Sequence, residues 1–104
     1  MILYNVTNHV APEIESQWLE WLNETHLPEM MATGVFTSAL VLRVYNGFEA
    51  AETAYAIQYS ANNHDDLDRF LKENKQKLKL QSLKLFGKNV LQFSTQLEVL
   101  SQHS

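Results

Sequence analysis

Residues 18–36, WLEWLNETHLPEMMATGVF, constrain the fold more than any other part of this chain. Ile14, Trp18, Trp21, Leu22 and Thr25 fall on one helical stripe, while Glu20, Asn23 and Glu24 point elsewhere. That pattern is a surface helix with one buried face. Pro12 suits the first helical position, where its missing N–H costs nothing, and Glu13 and Glu15 in the first turn favour the helix dipole. Pro28 disfavours helical geometry at Leu27, so the first helix is predicted to break near His26. Pro28 then starts a second short helix, which Gly34 ends as a left-handed cap. Residues 35–45 follow at once, β-branched or aromatic and free of breakers, so the helix has a sheet to pack on.

The remaining elements follow from the same rules. Ile2, Tyr4 and Val6 alternate with Leu3, Asn5 and Thr7, which predicts a strand over residues 1–10. Asn46-Gly47 signals a turn, residues 48–52 lengthen the connection, and residues 53–60 return as a strand. Asn62 or Asn63 can cap a long helix with Asp65 and Asp66 in its first turn. Leu67, Leu71, Asn74, Leu78 and Leu85 keep helical spacing there, and Gly87 can end it. Residues 90–100 read as a last strand, and residues 101–104 as a frayed tail. The order is βαββαβ, the ferredoxin-like split pattern of an α+β fold. Its four-stranded antiparallel sheet carries both helices on one face, in a single domain over residues 1–104 with about 1–100 ordered.

Alternation sorts the strand residues into two faces. Ile2, Tyr4, Val6, Leu40, Leu42, Val44, Tyr55, Ile57, Tyr59, Leu91, Phe93 and Leu97 form a set fit to pack under the helices. Leu3, Asn5, Thr7, Thr37, Ala39, Val41, Arg43, Ala54, Ala56, Gln58, Gln92, Ser94 and Gln96 form the other. The second face is too apolar for a plain solvated surface and too polar for a core, so it is expected to stack on a second copy. Polar side chains left uncovered inside such a homodimer line a lumen.

Composition removes several chemistries. No cysteine is present, which excludes disulfides, thiolate nucleophiles and Cys-ligated zinc or iron–sulfur sites. A net charge of -4 speaks against a general nucleic-acid binder. No run approaches a membrane span, and MILYNV has no signal-peptide character, so a cytoplasmic setting is expected. Seven of the eight basic residues lie between Arg69 and Lys88, but no aromatic platform interleaves them, so they read as a solvated helix face. The four histidines show no metal spacing; His26 with Glu29 lacks a third ligand, and no cofactor is called for.

The candidate site residues are His26, Asn5, Arg43, Gln58, Gln92 and Ser94. His26, at the predicted helix C-terminus, is favoured as an imidazolium by the dipole and could serve a ligand as acid, base or donor. Its structural alternative is to cap the last carbonyls of the helix. Arg43 in the lumen would need an anionic partner, a ligand carboxylate or phosphate; otherwise it pairs with Glu98 or Glu52 or lies exposed near the strand end. Asn5, Gln58, Gln92 and Ser94 are neutral and suit recognition, or a satisfied polar network at the dimer interface. Trp18 and Trp21, at three-residue spacing, read as core rather than as a haem box.

MILYNVT, PEIESQWLEWLNETHLPEMMATGVF, YAIQY and FGKNVLQFSTQLEVL together resemble an uncharacterised bacterial family, domain of unknown function 4286. The resemblance implies a dimeric α/β barrel in which two ferredoxin-like halves stack their sheets. More distantly, the His-Leu-Pro corner after a Trp-rich helix resembles EthD-like dimeric barrels, a superfamily of small oxygenases, haem-degrading enzymes, isomerases and proteins of no known activity. The family carries no settled catalytic motif, so no catalytic residue transfers from it. Three readings stay open: a barrel binding a small ligand in the lumen, an enzyme of the dimeric-barrel type using His26 without a cofactor or with haem, and a structural or regulatory dimerisation domain.

Overall fold

In the computed structural model, which describes residues 1–45 and 53–104, the chain runs β1 (Ile2–Val10), a 3-10 turn (Pro12–Ile14), α1 (Glu15–Trp21), a π-helical turn (Leu22–His26) and α2 (Leu27–Ala32). It continues with β2 (Phe36–Arg43), β3 (Thr53–Ala61), α3 (His64–Phe86), a second 3-10 turn (Gly87–Asn89) and β4 (Val90–Glu98). The strands form one antiparallel sheet in the order β2-β3-β1-β4. This is the ferredoxin-like α+β arrangement expected from the βαββαβ order. The turn expected at Asn46-Gly47 lies outside the described residues.

The first helical segment departs from expectation. It does not break at His26. His26 and Leu27 both keep right-handed helical geometry, and the Leu27 N–H donates to the Leu22 carbonyl five residues back. Pro28 has no N–H and its ring crowds the carbonyl four residues earlier. Widening one turn to the π pattern absorbs that conflict without ending the helix. The result is a continuous helical rod, and His26 lies within it.

Local chemistry ends and starts the other elements as predicted. Gly34 has φ 78° and closes α2, and the Asn62 side-chain amide donates to its carbonyl at 2.8 Å. The Asn63 Oδ1 accepts the Asp66 N–H at 2.8 Å, a side-chain cap for α3. The core lies between the helices and one sheet face, built on Tyr4, Trp18, Leu22, Tyr59, Leu67 and Phe70.

Two strands present the opposite faces from those the alternation predicts. Phe36 pairs with Ala61 but Ser38 pairs with Ser60, so the ladder slips at Thr37. One extra residue inverts the parity of everything after it. Phe36 stays under the helices, yet Leu40 and Leu42 then share the open face with Gln58 and Ala56, while Val41 and Arg43 share the covered face with Ile57 and Tyr55. In β4, register with β1 sets Leu91, Phe93 and Leu97 opposite His9, Thr7 and Leu3 on the open face. Gln92, Ser94 and Gln96 lie opposite Asn8, Val6 and Tyr4 on the covered face. In α3, Leu85 points outward and Phe86 packs inward on Trp21, their ring centroids 5.4 Å apart.

Candidate functional site

The open face of the sheet has a definite relief. Its centre strands β1 and β3 present Leu3, Asn5, Thr7, His9, Ala54, Ala56, Gln58 and Ser60, small or polar apart from Leu3 at one end. Its edge strands β2 and β4 present large apolar side chains, among them Leu40 at 58% and Phe93 at 60% exposure. Leu42, Leu91 and Leu97 are exposed beside them. A trough therefore runs between two apolar ridges. Asn5 and Gln58 are paired across the centre of that trough. The Asn5 amide donates to Thr7 Oγ1 at 3.3 Å, and its Oδ1 is buried with no partner.

Of the six candidate residues, only these two share the open face. Arg43 lies on the covered side, where its guanidinium donates to the Tyr55 hydroxyl at 3.1 Å and sits 5.5 Å over the same ring. Those contacts, with the hydroxyl of Tyr45, hold it above the usual arginine range. Its expected place in an anion-binding lumen is thus corrected by the Thr37 slip. Glu98 stands on β4 at the far edge of the sheet and cannot pair with it, and Glu52 lies outside the described residues. Gln92 and Ser94 also move to the covered side, where Ser94 meets the Tyr4 hydroxyl.

His26 belongs to a different place, the space between the helical rod, α3 and the sheet. A cavity of about 40 Å³ there is lined by Asn8, Trp18, Trp21, His26, Leu78 and Gln92, among others. The imidazole stacks on Trp21, and its Nδ1 is buried with no partner among the described residues. It caps no carbonyl, because the helix does not end there. Burial pushes its pKa below the usual histidine range, opposed only in part by Glu29. The imidazolium expected from the dipole is not favoured here, since burial disfavours the charged form and the helix runs on past His26. His26 also lines an adjoining chamber of about 130 Å³ with Glu29 and Met30. Neither space admits a macrocycle of haem size.

Asn8 and Trp18 complete this cavity and were missed as polar groups by sequence reasoning. Both are 1% exposed, and among the described residues Asn8 Oδ1 and Trp18 Nε1 have no hydrogen-bond partner. Asn8 carried a usable signal, because it occupies the row of Ile2, Tyr4, Val6 and Val10 that turns into the core. A polar residue in a buried row of a centre strand calls for a partner.

Residues 1–100 match the family described as domain of unknown function (DUF4286). The chain belongs to that family. No curated protein matches it. Solved structures that share the fold of this DUF4286 protein include the following three. A dimeric ferredoxin-like protein from an uncultured marine organism aligns with TM-score 0.72 and 11% identity over 98% of this chain and 97% of its own. Another, also from an uncultured marine organism, gives TM-score 0.67 and 12% identity over 100% and 99%. A protein of the ethyl tert-butyl ether D (EthD) family from Bacillus halodurans C-125 gives TM-score 0.63 and 17% identity over 91% and 97%. At these identities the likeness concerns the fold alone.

Proposed function

We propose that this DUF4286 protein works as a homodimer closed by the open faces of two sheets, and that the dimer binds a small molecule in the lumen between them. The observation that carries the reading is the relief of the open face, with apolar ridges on β2 and β4 flanking a small and polar trough on β1 and β3. Ridges such as Leu40 and Phe93 gain by leaving water, at roughly 25 cal/mol per Å² of apolar surface buried. Small side chains along the centre leave room where the two troughs meet. Two structures of the same fold are described as dimeric, which supports a dimer.

The ligand is largely apolar and uncharged. Arg43 is held by Tyr55 on the other side of the sheet, so the anionic ligand that a lumenal arginine would require is not part of this proposal. Asn5 Oδ1 and the Gln58 amide offer it one acceptor and one donor-acceptor group.

Light scattering on a sizing column tests the dimer. The purified chain is expected to elute at twice its 12.0 kDa mass. Leu40→Asp combined with Phe93→Asp should return it to the monomer mass with its helical circular dichroism intact. A wild-type chain that stays monomeric at all concentrations sinks the reading. For the lumen, the uncharged dye N-phenyl-1-naphthylamine should brighten at one per dimer and not with the double variant. A dimer that leaves the dye dark has a filled lumen and is only a dimerisation domain.

A further inference from the structure

We propose that the cavity between the helical rod, α3 and the covered face of the sheet is a second binding site, for a small uncharged molecule that carries a hydroxyl group held between Trp18 and Asn8. The site lies on the opposite side of the sheet from the trough and stands apart from the dimer reading.

Three buried polar atoms without a partner among the described residues line this space, Trp18 Nε1, Asn8 Oδ1 and His26 Nδ1, and the first two define the occupant. Trp18 Nε1 comes from α1 and can only donate; Asn8 Oδ1 comes from β1 and can only accept. The Asn8 amide nitrogen is already engaged by the Val6 carbonyl at 3.2 Å. Leaving a buried donor or acceptor unsatisfied costs about 1–3 kcal/mol each. Both residues line the same 40 Å³ space, which has room for a hydroxyl group or a water. A hydroxyl answers both at once, its oxygen accepting from Trp18 and its proton going to Asn8.

Charged ligands are refused by the same lining. An anion would face the acceptor oxygen of Asn8, and a cation would find no carboxylate among the lining residues. Burial disfavours a charge on His26, the one residue of this lining that could have offered an anion a counter-charge.

The body of the ligand has a place to go. Leu78 lines this cavity, the 130 Å³ chamber beside His26 and Met30, and a third pocket of about 50 Å³ beside Gln92 and Ser94. Its half-buried side chain, with His26 and Met30, stands between the hydroxyl-sized space and the larger chamber, and the body of the ligand enters that chamber where these side chains shift. Phe70 and Met30 give that chamber an apolar wall.

Phenol is the probe, with toluene as the same ring lacking the hydroxyl, titrated into the full ¹⁵N-labelled chain. The indole N–H of Trp18, assigned by its survival in Trp21→Phe, should shift saturably with phenol. Toluene should bind at least about tenfold more weakly, and Asn8→Leu should weaken phenol by about tenfold, the value of one buried hydrogen bond. The wild-type comparison stands even where Asn8→Leu fails to fold. An indole that phenol leaves unmoved means the cavity holds ordered water only, and the proposal fails. It fails equally if phenol and toluene bind alike, or if the Gln58 side-chain amide shifts while Trp18 does not.

Discussion

The imidazole of His26 lies against the indole of Trp21, their ring centroids 4.6 Å apart and their planes 22° from parallel. The edge of Phe86 from α3 closes on the same indole. The π turn makes this possible, since a helix that ended at His26 would release the ring to solvent. Such contacts add about 0.5–1.5 kcal/mol per pair beyond buried area.

The stacked imidazole predicts a pH dependence. Its folded pKa lies below the ordinary value of 6.5, so the unfolded chain binds a proton that the folded chain resists. The stability is full above about pH 6.5 and falls as pH drops from there through the folded pKa. Urea midpoints measured at pH 7.5 and 5.5 should show the loss, and His26→Gln should flatten it. Equal midpoints in the wild type would contradict the burial of Nδ1.

Asn8→Leu is expected to stabilise the empty protein. It removes a buried acceptor that no protein group satisfies, and apolar groups of similar shape in such places are neutral or favourable. A gain of about 1 kcal/mol would raise the melting temperature by roughly 4–8 °C for a domain of this size. Calorimetry of both proteins checks it, and a large loss instead would mean that Asn8 is satisfied by fixed water.

Gly34→Ala isolates the cost of a backbone conformation. A Cβ added there meets no atom within 4 Å, so crowding contributes nothing. The φ of 78° should still cost about 1–2 kcal/mol. Gly34→Asn should cost less, because asparagine tolerates the left-handed region. Chemical denaturation distinguishes the two, and equal costs would point to a role beyond the turn.

Periodicity was sufficient for the order of elements. The Asn63 cap and the Gly34 and Gly87 stops depend on neighbours within a few residues, and the structure keeps them; of the Trp18 stripe it keeps Ile14, Trp18, Trp21 and Leu22, while Thr25, in the π turn, is exposed. The faces of β1 and β3 were equally legible, because their alternation runs unbroken. The break expected at Pro28 was not, since the packing of His26 on Trp21 and Met30 in the core favours a continuous rod over a local preference at Leu27.

The sequence by itself determined which segments are helix and strand, and that two aromatic-rich layers must pack face to face. Tertiary structure alone decided which side of the sheet β2 and β4 show. A single slip at Thr37 costs little locally yet inverts every later side chain of its strand, and β4 is apolar on the row that alternation assigns to the core. That choice moves Arg43, Gln92 and Ser94 away from Asn5 and Gln58. It also sets Gln92 beside Asn8, Trp18 and His26 in one cavity, a grouping that rests on strand register and helix docking, which residue spacing does not encode.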